Sequence, residues 1–241
     1  IGFYSNSIQN PLQKELATEL VEASGCNDYQ LFLCNSGAEA NENALKLASF
    51  HTKNKKVIAF KNGFHGRTSA AVAVTDNSKI IAPINAQQEI ELFDLGDING
   101  VANALSNNDV CAVIIECVQG VGGLDESTTS FYKRLHHLCI KFNVVLIADE
   151  VQSGFGRTGD FFAFQKHKII PDIISMAKGM GNGFPIGGIL IHPKIKASFG
   201  LLGTTFGGNH LACTASLTVL EVIKAEKLQE NAKVIFDYFK K

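Results

Sequence analysis

Two stretches decide how this chain is read: VVLIADE at residues 144–150 and DIISMAKGMGNG at residues 172–183. Each is a short apolar run that ends in charge. Asp149 and Glu150 close the first; Lys178 follows the second and opens a glycine-rich turn. Apolar runs of this length, bounded by turn residues, read as strands buried on both faces, as in a parallel sheet. A carboxylate at the end of such a strand is largely buried and needs a cation or hydrogen-bond donors to stay ionised. A lysine among glycines can come close to a flat ligand.

Working outward, strands and helices alternate. Pro11–Ser24 carries Leu12, Leu16, Leu20 and Val21 at helical spacing, with Pro11 at the start and Gly25 just beyond the end. Further helices are predicted over 37–50, 68–74, 127–142, 210–224 and 226–241. Strands are predicted over 29–34, 56–60, 111–116, 144–149, 173–176 and 186–191. This order specifies an α/β fold with a mostly parallel central sheet flanked by helices. No repeat or low-complexity tract interrupts it. Residues 1–241 are expected to form one large ligand-binding domain. The chain opens on Ile1, so its true start is expected to be missing. It stops inside a helical pattern, a poor place for a domain boundary.

Composition narrows the function. A net charge of −1 with no Lys/Arg cluster argues against nucleic acid as a partner. The densest basic stretch, residues 53–56, reads as a solvated helix end. None of the six cysteines forms a C-x-x-C pair, and most lie in apolar segments. They read as free thiols in a reducing, cytoplasmic compartment. No metal-ligand spacing links them to the histidines, and His136-His137 reads as helix surface. No apolar run approaches the roughly 18–20 residues of a membrane span, and no secretory leader pattern is visible.

Four further segments carry chemistry. Ser36 and Glu39 have capping-box spacing at a strand-to-helix junction. The Gly37 and Ala38 amides would then face outward as an anion site, although an ordinary capped helix looks the same. Residues 62–68 place Phe64, His65 and Arg67 between glycines. Phe64 could stack on a flat ring and Arg67 could clamp a carboxylate; an exposed arginine in a plain turn fits equally. Glu116 stands at a strand end before Gly120, Gly122 and Gly123, and Thr205 lies between Gly203 and Gly207. In an open parallel sheet, ligands bind outside the carboxyl ends of the strands, where these turns converge. A lysine Schiff base with an Asp on the pyridinium nitrogen is how a protein handles pyridoxal phosphate (PLP). No Walker motif is present, which sets a P-loop reading aside.

Taken together, NSGAEANENALKLA (35–48), FHGRT (64–68), LIADEVQSGFGRTG (146–159), DIISMAKGMGNGFPIGG (172–188) and GTTFGGNHLACTASL (203–217) resemble the class III, ornithine-type, PLP-dependent aminotransferases of fold type I. Within that family the likeness is strongest to the branch acting on acetylornithine. The resemblance implies that Lys178 holds PLP, Asp149 pairs with its pyridine nitrogen, Gln152 lies near its phenolic oxygen and Phe64 stacks on its ring. It implies that Ser36, Gly37 and Ala38 hold the phosphate, helped by Thr205 from the neighbouring subunit of a homodimer with composite sites. Arg67 would bind the donor's carboxylate, and Glu116 would lie near the substrate. The implied reaction moves the terminal amine of an N-acylornithine to 2-oxoglutarate, a step of arginine biosynthesis. Another class III activity, on ornithine or 4-aminobutyrate, or a glutamate semialdehyde aminomutase, would use the same machinery. A non-catalytic dimerisation module on the same fold is a further reading, against which the intact Lys178 and Asp149 stand.

Two departures from the family pattern follow. Its members run to roughly 400 residues, so an N-terminal segment and a C-terminal small domain, with an arginine for the substrate carboxylate, are expected to be missing. Val121 stands where the family often has a Glu that sorts donor from acceptor.

Overall fold

A computed structural model describes residues 10–196 and 198–240. Ile1 and Lys241, the ends of the expected domain, lie outside them. In chain order the elements are α1 (Pro11–Ser24), β1 (Gln30–Cys34), α2 (Gly37–Thr52), β2 (Lys56–Phe60), α3 (Ser69–Ala73), β3 (Ile90–Phe93), α4 (Ile98–Leu105) and β4 (Val110–Ile115). There follow α5 (Thr129–Lys141), β5 (Val145–Asp149), β6 (Ile173–Met176), β7 (Gly187–Ile191), α6 (His210–Ala225) and α7 (Leu228–Phe239).

The sheet order is β1-β7-β6-β5-β4-β2-β3. β6, β5, β4, β2 and β3 pair parallel, while β7 runs antiparallel to both β1 and β6. Six strands therefore point one way, and their carboxyl ends share one edge with the amino end of β7. β3 and α4 have no counterpart in the sequence reading. β3 is four half-buried residues at the sheet edge, too short for alternation to show.

Alternation along each central strand feeds two cores. From β4 and β5, Val113, Ile115, Leu146 and Ala148 join Leu105, Phe131 and Leu135 of α4 and α5 on one face. Ala112, Ile114, Val145 and Ile147 join Ala40, Ala44, Leu47 and Ala48 of α2 on the other. Burial on both faces is why these strands read as continuous apolar runs. α1 starts on an Asn10 cap, whose side chain accepts from the Gln13 amide at 2.9 Å, and ends at Gly25 with φ +70°. α7 buries none of its residues and leaves Val234, Phe236, Tyr238 and Phe239 exposed. Among the described residues, no helix is long and apolar enough to cross a membrane.

Candidate active site

The turns at the shared edge enclose a cavity of about 450 Å³. Ser36, Gly37, Ala38 and Asn41 line it from α2, with Phe64, His65 and Arg67 from the turn after β2. Glu116 and Val121 come from the turn after β4, Asp149 and Gln152 from the end of β5, and Lys178 from the turn after β6. All the residues to which the sequence reading gave a cofactor or substrate role meet there except Thr205. That residue is exposed beside a separate cavity of about 770 Å³ at the outer edge of β1.

The period of two along β5 puts Val145, Ile147 and Asp149 on the α2 face. There Asp149 Oδ2 accepts from Asn41 Nδ2 and bonds His65 Nδ1, both at 2.7 Å. Its Oδ1 accepts from the Val151 amide at 3.0 Å. The buried carboxylate is thus met by donors rather than by a lysine or arginine. Sequence reading gave no role to Asn41 or His65. Asn41 could have been noticed as a polar residue in the apolar stripe of α2. Nothing in the spacing told that His65 reaches Asp149. Asn41 also donates to the His65 carbonyl at 2.7 Å, and its own Oδ1 is buried without a partner.

Glu150, one residue on, takes the opposite face. It accepts from Ser153 Oγ at 2.7 Å and from the Ala163 and Phe164 amides at 3.0 and 2.9 Å. Burial pushes its carboxyl up to about 7 despite these donors. Neighbouring carboxylates are thereby split between the cavity and the scaffold.

At the start of α2, Ser36 Oγ accepts from the Glu39 amide at 3.2 Å. The reciprocal bond of the capping box lands one residue early: Glu39 Oε2 accepts from the Asn35 amide at 2.8 Å. The amides of Gly37 and Ala38 have no carbonyl ahead of them in the helix. A Cβ on Gly37 would lie 2.6 Å from Val151 Cγ1, so only glycine lets the two elements approach this closely.

Lys178 is exposed, has φ +45°, and donates from Nζ to Gln152 Oε1. Phe64 is half-buried, and its amide donates to Glu116 Oε1 at 3.0 Å. Glu116 Oε2 accepts from the Gly120 amide at 3.0 Å, which ties two turns of the cavity together. Burial raises the Glu116 carboxyl above its usual range, countered in part by His65. Arg67 is exposed. All six cysteines are free and buried. Among the described residues, no cluster of His, Cys, Asp and Glu could hold a metal ion.

This is an α/β sheet with a lysine, a donor-held aspartate and a helix N-terminus around one cavity. The profile of the family Aminotransferase class-III matches residues 2–241. An acetylornithine aminotransferase of Methanopyrus kandleri is 41% identical over 232 residues, covering 95% of this chain and 59% of that protein. One from Archaeoglobus fulgidus is 42% identical over 240 residues, covering 98% and 63%. Among solved structures, an ornithine aminotransferase of Toxoplasma gondii superposes with a TM-score of 0.89 at 32% identity, covering 99% of this chain and 59% of that one. That structure reveals partial occupancy of PLP at the active site. The chain belongs to the class III aminotransferases. It spans 59% and 63% of the lengths of the two relatives.

Proposed function

We propose that the protein is a PLP-dependent aminotransferase that takes the terminal amine of an N-acylornithine and gives it to 2-oxoglutarate. The observation that carries this reading is the convergence of Lys178, Asp149 and the α2 N-terminus on one cavity. The donor set fits PLP: an amine for the aldehyde, a buried carboxylate for the pyridinium, and free helix-end amides for the phosphate. The acylornithine donor is supported by the relatives at 41% and 42% identity.

With PLP bound, its ring is an electron sink for the pair left when a proton leaves the amine-bearing carbon. The other roles fall to this chain. Lys178 Nζ would hold the cofactor. With the donor bound, the same amine would remove the proton as base and return it as acid. Gln152, already bonded to Nζ, orients that amine. Asp149 keeps a proton on the ring nitrogen, and His65 and Asn41 fix its Oδ2. Ser36 and the Gly37 and Ala38 amides hold the phosphate, Phe64 covers the ring, and Arg67 takes the donor's carboxylate.

The test is the absorbance of the purified protein with PLP. A visible band that borohydride abolishes, and that Lys178→Ala lacks, is expected. Amine transfer from N-acetylornithine to 2-oxoglutarate should then exceed transfer from ornithine or 4-aminobutyrate. Failure of the band removes the cofactor reading; a different preferred donor removes the acylornithine reading alone.

A further inference from the structure

The turn that carries Arg67 is pinned at nearly every residue. The Phe64 amide is held by Glu116. The His65 amide donates to Thr75 Oγ1 at 2.9 Å, and the His65 ring bonds Asp149. Gly66, at φ +136°, is pressed so close to α2 that a Cβ would lie 2.8 Å from Ala38 Cβ. Beyond Arg67, α3 begins without a side-chain cap of its own: the Thr68 carbonyl accepts from the Val72 amide at 2.7 Å, but its hydroxyl accepts nothing from the helix.

Glu42, reaching across from α2, does that work. Its Oε2 accepts from Thr68 Oγ1 at 2.6 Å, from the Ala70 amide at 2.9 Å and from the Ala71 amide at 3.1 Å. Oε1 also accepts from the Ala70 amide, at 3.0 Å. One half-buried carboxylate thus satisfies two of the orphan donors that open α3, the Ala70 and Ala71 amides, and locks the residue after Arg67 onto α2. Arg67 alone in residues 64–68 makes no hydrogen bond among the described residues, and it lines the cavity from this fixed backbone.

We infer that Glu42 is a positioning residue for Arg67: by capping α3 from α2 it sets the guanidinium where a substrate carboxylate must bind. A long, flexible side chain on a loose turn would lose more freedom on binding, and a fixed base lessens that loss. The inference rests on the reading of Arg67 as the carboxylate receptor.

The experiment uses the intact, PLP-loaded protein and N-acetylnorvaline, which has the acyl group and carboxylate but no terminal amine to react. Binding is followed by calorimetry in wild type, Glu42→Ala, Glu42→Gln and Arg67→Ala. Glu42→Ala should weaken binding about tenfold, the effect of losing hydrogen bonds to a charged group. Glu42→Gln keeps a carbonyl acceptor for the Ala70 and Ala71 amides and should recover most of it. Amide exchange at Ala70 and Ala71 should speed up in Glu42→Ala. With turnover as readout, KM for N-acetylornithine should rise while kcat for pentylamine, which has no carboxylate, stays put. Wild-type binding in Glu42→Ala, with binding lost in Arg67→Ala, overturns the inference and leaves Arg67 as receptor. Unchanged binding in Arg67→Ala overturns both. A fall in pentylamine turnover matching that of N-acetylornithine means that Glu42 supports the whole site, which also overturns it. Should Glu42→Ala fail to fold, Glu42→Asp, too short to reach every donor, carries the same expectation and the same refutation.

Discussion

The Asp149 carboxylate and the His65 imidazole meet at 2.7 Å with both side chains shut away from solvent. Asn41 shares the same oxygen, and the Val151 amide takes the other. An asparagine at this position must turn its NH₂ toward one of these donors, whichever way it is flipped. Asp149→Asn is therefore expected to destabilise the PLP-free protein by about 1–3 kcal/mol, the cost of an unsatisfied buried group. It should also weaken PLP binding and slow proton transfer, because the ring nitrogen loses its counter-charge. Urea melts, PLP titration and single-turnover spectra read these effects. Near-normal affinity and rate would reduce Asp149 to a strand-end cap.

Lys178→Ala should abolish transamination and leave the fold intact, since the side chain is exposed and packs in neither core. The backbone there has φ +45°, a left-handed conformation that costs a non-glycine residue energy. Lys178→Gly should be more stable than Lys178→Ala by about 0.5–1 kcal/mol, with both inactive. Thermal melts and an amine-transfer assay check the pair. Turnover in either variant would show that another group carries the proton.

Glu150 sets a pH dependence of stability. Its folded value of about 7 lies above the ordinary 4.5, so the folded protein holds a proton that the unfolded chain has released. That contribution is full below the unfolded value and is lost as pH rises through the folded one. Relative to Glu150→Gln, wild type should lose about 1.4 kcal/mol for each unit of pKa displacement as pH rises across this window. Urea denaturation of both proteins at pH 5 and pH 8 measures it. A constant difference between them would mean that the three donors hold the carboxylate ionised throughout.

Thr205 is exposed, away from its own chain's cavity. If the protein is a two-fold dimer with composite sites, Thr205→Val should impair PLP retention more than folding, with a loss of about 1.5–3 kcal/mol for a bond to an ionised group. Heterodimers of Thr205→Val and Lys178→Ala subunits would contain one doubly damaged site and one intact site. Purified heterodimers should be well above either parent in activity. Absence of recovery would assign Thr205 to its own subunit.

Much of this site was legible as sequence because its chemistry is concentrated at strand ends. The runs before Asp149 and Lys178 announce strands buried on both faces, and glycines mark the turns that follow. That dictates a mostly parallel sheet and puts Ser36, Phe64, Arg67, Glu116, Asp149, Gln152 and Lys178 at one edge, where the structure has them. β3 escaped because four half-buried residues at a sheet edge leave no periodicity to read.

Tertiary structure alone decided the partners. Asp149 and Glu150 are adjacent acids in sequence, but strand alternation sends one toward α2 and the cavity and the other into the scaffold. Asn41, His65 and Glu42 gain their roles only when α2 is laid across the sheet, because each bonds residues 24 to 108 positions away. Periodicity reports which face of its own element a side chain takes. Which donor waits on that face depends on how the elements pack.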